Sequence, residues 1–157
     1  MAEHIRRVGL VMAASKGLGR GSAEALAAAG FDLVLCSRSA ESIEATASSL
    51  RAGGAEVEAV VADVARANDL VKVFERADAR FGRLDALVVN AGGPPPGSFT
   101  SATDAQWETA FNLTLMSAVR AMRLGVERMR PSGYGRIVVI GSSSVKQPIE
   151  GLVLSNA

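Results

Sequence analysis

VGLVMAASKGLG, residues 8–19, joins a short apolar run to a turn of small residues, and this stretch decides the fold. An unbroken apolar run is typical of a strand that is covered on both faces in a parallel sheet. The chain from Leu18 to Ala29 is rich in Ala and Leu, and Gly30 is placed to end a helix there. The stretch therefore predicts a strand, a tight turn and a helix.

The rest of the chain repeats this alternation of strand and helix. Further strands are predicted at 31–36, 57–61, 84–89 and 136–140. Helices are predicted from the Ser39 cap to about residue 52, over 68–81, and from a capping box at Thr103 and Gln106 to about residue 129. The order predicts an α/β fold, namely a Rossmann-type doubly wound parallel sheet in three αβα layers.

The amino-acid composition is close to that of ordinary globular proteins. The chain has 157 residues, is 48% apolar and 21% charged, and carries a net charge of +1. We expect one globular domain, with neither nucleic acid nor a membrane as a partner. Cys36 is the only cysteine, so the sequence predicts no disulfide and no metal site and favours the cytoplasm.

Ligands of such sheets bind beyond the carboxyl ends of the strands. After the first strand come small residues that let the backbone approach a pyrophosphate, together with the free N–H groups of a helix start. These candidate residues are Ala13, Ser15, Lys16, Gly17, Leu18 and Gly19. The pattern is neither Gly-x-Gly-x-x-Gly nor a P-loop, and a plain tight turn is the alternative interpretation.

The second strand is followed by Ser37 and Arg38. An acidic residue at this place would bind the ribose of NAD, whereas an arginine suits the 2′-phosphate of NADP. Lys16 adds a second cation for the same phosphate. The alternative is that Arg38 is an ordinary solvated surface side chain.

The remaining strand ends also carry candidate residues. Asp63 and Val64 follow the third strand, where a carboxylate suits the amino group of adenine, although Asp63 as a helix cap is an equal alternative. Asn90, Ala91 and Gly92 follow the fourth strand, and three adjacent serines begin at Ser142 after the fifth.

Six segments, in this order and spacing, resemble the short-chain dehydrogenase/reductases, and among them the 3-oxoacyl-carrier-protein reductases. They are AASKGLG at 13–19, SR at 37–38, ADV at 62–64, NAGG at 90–93, Asn112, and GRIVVIGSS at 135–143. The resemblance implies that residues 1–157 form a dinucleotide-binding Rossmann domain. It implies that Asn112 holds a water for proton relay and that Ser142 binds the substrate carbonyl.

The chain departs from the family pattern in two places. Met12 and Ala13 replace a Thr-Gly pair, which we expect to be tolerated if the φ angle of Ala13 is negative. Where the family has the Tyr of Tyr-x-x-x-Lys, this chain reads Leu154-Ser155-Asn156. Tyr134, the only tyrosine, is predicted at the opposite sheet edge. The proton donor is left open among Lys146, Ser155 and a residue beyond 157.

The resemblance implies an NADP(H)-dependent oxidoreductase that interconverts a carbonyl and a secondary alcohol by hydride transfer, with NAD(H) as the second choice of cofactor. The alternative is a nucleotide-binding oligomeric protein of the same fold with little or no redox turnover. Family members are longer, so we expect the C-terminal part of the fold to be missing from this chain.

The helix over 104–129 is apolar on more than one face, which predicts a homo-oligomer, either a dimer or a tetramer. Cover by the missing C-terminal part is the alternative explanation of that apolar surface.

Overall fold

A five-stranded parallel sheet forms the centre of the molecule, with strand order β3-β2-β1-β4-β5. The computed structural model describes residues 6–157. The strands are β1 (Val8–Val11), β2 (Asp32–Ser37), β3 (Val57–Val61), β4 (Ala86–Val89) and β5 (Arg136–Val139). The parallel sheet and its strand order confirm the predicted Rossmann-type fold.

Helices cover both faces of the sheet, in the three layers that the sequence predicts. They are α1 (Gly17–Ala28), α2 (Ala40–Ala52), α3 (Ala67–Phe81), α4 (Asp104–Phe111), α5 (Ser117–Met129) and the short α6 (Val153–Asn156). A π-helical segment, Asn112–Met116, joins α4 to α5, so the two form one long helix. Among the helices of residues 6–157, none combines the length and the apolar character needed to cross a bilayer.

Two apolar cores lie on opposite faces of the sheet because successive strand side chains point to opposite sides. On one face, Leu10 and Leu87 belong to the cluster that holds Phe74 of α3. On the other, Val11 and Leu35 belong to the cluster that holds Ile43 of α2. β1 and β4 are buried along their whole length, which explains why they read as unbroken apolar runs.

Cys36 lies in the first of these cores. Its burial raises the pKa of the thiol to about 11, and a hydrogen bond with the backbone of Ala13 offsets this only in part. The thiol therefore stays protonated at neutral pH and is unsuited to redox or nucleophilic chemistry.

Local signals in the sequence set the helix ends as predicted. The Ser39 hydroxyl accepts from the Ser42 N–H at 3.2 Å, and the capping box at Thr103 and Gln106 is complete. Gly82, at φ 65°, closes α3 in the left-handed conformation that favours glycine.

Several details of the predicted elements were wrong, including the strand predicted at 84–89, which begins at Ala86. Ser37 is the last residue of β2, paired with Val61, rather than the first residue after the strand. The first strand ends at Val11 because Ala13 turns into the left-handed region. The long helix was predicted without a break, yet its hydrogen bonding changes to the π pattern at Asn112.

Candidate functional site

A cleft of about 580 Å³ opens beyond the carboxyl ends of the strands. Its volume is in the range of roughly 300–1,000 Å³ that small-molecule sites occupy. Every residue predicted to bind the cofactor lines it, except Gly19. These residues are Ala13, Ser15, Lys16, Gly17, Leu18, Ser37, Arg38, Asp63, Val64, Asn90, Ala91 and Gly92. Four separate strand ends thus converge on one cavity.

The loop after β1 has an unusual backbone at Ala13. Its φ angle is 49°, which lies in the left-handed region. A negative φ was the condition under which we expected an alanine to be tolerated here, and that condition is not met. The backbone is held in a conformation that disfavours any residue with a Cβ atom, and a glycine, which the resemblance places here, would carry no such cost.

Gly19 lies under the loop instead of lining the cleft. A Cβ atom at this position would stand 2.3 Å from the Ala13 carbonyl oxygen and 2.7 Å from Asn90 Nδ2. Asn90 Nδ2 in turn donates to the carbonyl oxygens of Met12 and Ala13, each at 3.3 Å. The end of β4 is thereby joined to the loop after β1, and only glycine fits at the contact.

Two cations lie at the mouth of the cleft, Lys16 and Arg38, and both side chains are exposed. The hydroxyl-bearing Ser39 and Ser42 line the same region, although Ser39 was predicted only as a helix cap and Ser42 was not predicted as a site residue. The cleft therefore offers positive charge and hydroxyl groups together, which is the chemistry that a phosphate group requires.

Asp63 does not cap α3, so that alternative interpretation was wrong. The helix begins after Arg66, and no side chain caps it. One carboxylate oxygen of Asp63 accepts from the Ala65 N–H at 3.0 Å, and the Asp63 N–H donates to Asp69 at 2.9 Å. These bonds hold the loop after β3 in the shape that presents Asp63 to the cleft.

Asn112 begins the π segment of the long helix, and Leu113 beside it lines the cleft. The Asn112 Nδ2 group donates to the Glu108 carbonyl at 3.0 Å. Arg120 donates to Asn112 Oδ1 at 3.4 Å and to the Ala65 carbonyl at 3.2 Å. π segments of this kind are frequent at functional sites.

Arg120, which links Asn112 to the loop after β3, was not predicted as a site residue. The available signal was an arginine one residue before Ala121, on a helix whose inward face is otherwise apolar. A half-buried guanidinium at such a position needs polar partners inside the protein.

Ser142 lies at the same sheet edge, because the Ile140 N–H still bonds to Val89 and continues the β4–β5 ladder. Its hydroxyl is exposed and accepts from Ser144, from the N–H at 3.1 Å and from the Oγ at 2.7 Å. Neither Ser142 nor Asn112 lines the cleft itself.

The single tyrosine is distant from this edge, as predicted. Arg7, which directly precedes β1, stacks over the Tyr134 ring at 4.7 Å. Tyr134 therefore lies at the amino edge of the sheet. Lys146 is exposed, and Ser155 is a half-buried residue of α6.

The sequence pattern of the family described as short chain dehydrogenase matches residues 7–155. Ketoacyl reductase HetN from Nostoc sp. is 33% identical over 140 residues, which cover 89% of this chain and 49% of HetN. The chain therefore belongs to the short chain dehydrogenase family.

Solved structures agree with this assignment. The L-sorbose reductase of Gluconobacter frateurii, in complex with NADPH and L-sorbose, superposes with a TM-score of 0.93 at 32% identity, covering 96% of this chain and 58% of that one. A short chain dehydrogenase/reductase from Burkholderia phymatum in complex with NAD gives 0.92 at 27%, covering 99% and 56%. The chain spans between 49% and 58% of the length of these relatives.

Proposed function

We propose that the protein to which this chain belongs is an NADP(H)-dependent oxidoreductase that interconverts a carbonyl and a secondary alcohol. One observation carries the proposal: the residues after four strands meet at one cleft, with Lys16 and Arg38 at its mouth. The similarity to a reductase solved with NADPH supports the choice of cofactor.

The residues present fit a dinucleotide. At Gly17 and Gly92 a Cβ atom would meet nothing within 4 Å, so the backbone there is open to a ligand. The loop from Ala13 to Leu18 and the start of α1 would hold the pyrophosphate. Lys16 and Arg38 would hold the 2′-phosphate, Asp63 and Val64 the adenine, and Asn90 to Gly92 the adjoining ribose.

A nicotinamide cofactor, when bound in the cleft, would supply or accept the hydride. Ser142 donates a hydrogen bond to the carbonyl oxygen, where negative charge develops. Asn112 orders a water, and Arg120 restrains its amide. The alkoxide also needs a proton, for which Lys146, Ser155 and a residue beyond 157 are the candidates.

The test is made on the full-length protein with NADPH, NADH and a panel of ketones and aldehydes. Ser142→Ala should lower kcat by about 10²-fold, as the loss of one such hydrogen-bond donor does, and leave the Kd of NADPH unchanged. Ser143→Ala is the matched control, since its side chain is exposed. Failure to bind either nucleotide would overturn the proposal.

A second function is favoured by one observation. Ser155 stands where the resemblance places the family tyrosine, and Tyr134 lies at the far edge of the sheet. A nucleotide-binding oligomeric protein with little redox turnover would keep the cleft without the acid. Tight NADPH binding, with no turnover above that of Ser142→Ala, would select it.

The proposed enzyme acts on a small carbonyl or alcohol and works as a homo-oligomer in the cytoplasm. Exposed apolar residues on the long helix support association, and the buried, protonated Cys36 suits a reducing compartment.

A further inference from the structure

A single residue, Ser144, contacts the Ser142 hydroxyl through two hydrogen bonds. Ser144 directs both its main-chain N–H and its side-chain oxygen at Ser142 Oγ, at 3.1 Å and 2.7 Å. Ser144 is only 1% exposed, whereas Ser142 is exposed. One serine is therefore held in the interior while its partner faces the solvent-filled edge of the sheet.

The Ser144 hydroxyl is the donor in its bond to Ser142, and two distances decide whether its proton faces Ser142 or the Ser155 carbonyl. Its oxygen lies 2.7 Å from Ser142 Oγ but 3.4 Å from the Ser155 carbonyl oxygen. Hydroxyl hydrogen bonds cluster near roughly 2.7–2.8 Å, so the proton is directed at Ser142. A serine hydroxyl has one proton to donate and two acceptor positions. Ser144 fills both acceptor positions of Ser142.

We propose that Ser144 is a positioning residue that turns the Ser142 proton toward the substrate oxygen, an inference that rests on the proposed function. With its acceptor positions filled, Ser142 acts only as a donor. The two incoming bonds also polarise its O–H group and strengthen the bond that it donates. This suits a carbonyl oxygen or an alkoxide, both of which accept.

The geometry separates Ser144 from its neighbours. Ser143 is exposed and has no such contact with Ser142. Without the Ser144 hydroxyl, the main-chain N–H would still cap the turn Ser143–Val145. The turn would thus survive, and only the direction of the Ser142 proton would become less defined, which costs rate through lost orientation.

The experiment measures steady-state kinetics of the full-length protein with NADPH and the best carbonyl substrate. Ser144→Ala should lower kcat about tenfold, the effect of one hydrogen bond, and leave the KM and Kd of NADPH unchanged. Ser144→Cys, which preserves volume but donates weakly, should behave alike. Ser143→Ala is the control and should retain the parental kcat.

A double variant tests whether Ser144 acts through Ser142. In the Ser142→Ala background, adding Ser144→Ala should cause no further loss of kcat. An additive loss would overturn the inference, because a purely structural role would add. A parental kcat in both Ser144 variants would also overturn the positioning role of Ser144. If Ser142→Ala still lowered kcat strongly in that case, the proposed function would stand. Absence of turnover, or a Ser142→Ala variant as fast as the parent, would overturn both.

Discussion

At the scale of single residues, the left-handed backbone of Ala13 carries the first prediction. This conformation costs a residue with a Cβ atom roughly 1–2 kcal/mol, while glycine adds roughly 0.5–1 kcal/mol of unfolded-state entropy. Ala13→Gly should therefore raise the free energy of unfolding by about 0.5–1 kcal/mol, as measured by urea denaturation. The substitution leaves the hydrogen bond from Asn90 to the Met12 carbonyl in place.

Ala14 provides the matched control, because it is fully buried and its φ angle is not positive. Ala14→Gly removes a buried methyl group and adds backbone entropy, so it should lower the free energy of unfolding by about 1–2 kcal/mol. A loss of stability in Ala13→Gly as large as that in Ala14→Gly would contradict the strain at Ala13.

Arg38 carries a prediction about cofactor choice. If its guanidinium binds the 2′-phosphate, Arg38→Asp should weaken NADPH binding by about 10–100-fold, the effect of a charge-assisted hydrogen bond. NADH binding should hold or improve, because a carboxylate suits the free ribose hydroxyl. Fluorescence titration with both nucleotides measures the ratio of the two Kd values.

The control is Lys72→Asp, which makes the same change of charge at an exposed position on α3 that does not line the cleft. Its ratio of Kd values should match that of the parent. An unchanged ratio in Arg38→Asp would remove Arg38 from phosphate recognition.

The sequence could predict the residues that line the cleft, because strand ends and glycine positions are local patterns. Lys16, Arg38 and Asn90 are all such cases. It could not predict Arg120 or Ser144, whose roles depend on partners that the fold brings close. It also could not show the positive φ of Ala13, since a residue with a Cβ atom rarely adopts that conformation.

At the scale of elements, Asp85 directly precedes β4 and links it to the start of β1 through a hydrogen bond. Its carboxylate accepts from the Val8 N–H at 2.8 Å and from Arg83 through two bonds at 2.7 Å and 2.8 Å. Burial alone would raise the pKa of Asp85, but the bonds from Arg83 and Val8 outweigh it and hold the pKa below its usual range. The charged form is thus the one that stabilises the fold.

The sign of the pH dependence follows from this depressed pKa. The contribution of Asp85 is fully present above its unfolded pKa of roughly 4 and is lost as the pH falls through the lower folded value. Asp85→Asn should lower the free energy of unfolding by about 1–3 kcal/mol at pH 7 and flatten its decline below pH 4. Urea denaturation over a pH series measures both.

Glu127→Gln is the control, because its side chain is exposed on α5. It should keep both the parental stability and the parental acid decline. An Asp85→Asn variant that loses stability on acidification as steeply as the parent would show that other carboxylates govern the transition.

The π segment of the long helix coincides with a group of side-chain hydrogen bonds that the apolar periodicity does not reveal. The side chains of Asn112, Thr114 and Ser117 each bond back to the carbonyl four residues earlier, at 3.0, 2.8 and 2.6 Å. Such bonds compete with the main-chain ladder and distort a helix. The spacing of apolar residues predicted the existence and length of the helix, whereas this distortion depends on side-chain rotamers.

At the scale of the whole molecule, several of the exposed large apolar residues lie on the long helix and on the edge strand. Phe111, Leu115 and Val126 are 54%, 48% and 43% exposed, and Val138 and Val139 of β5 are more than half exposed. Where exposed apolar residues form one patch, the patch marks a contact with another chain or with more of the same chain. The sequence predicted the helix surface but left both sources of cover open.

Leu115→Lys separates the two sources. If a second copy covers the helix, light scattering of the full-length parent at micromolar concentration should show an oligomer. The Leu115→Lys variant should shift the equilibrium toward a monomer that is still folded. The charged side chain would be desolvated at the interface, which weakens association. Val71→Lys, at a 40% exposed site on α3, is the control and should leave the assembly unchanged. A monomeric parent whose Tm falls in Leu115→Lys would instead show that the helix is covered within the chain.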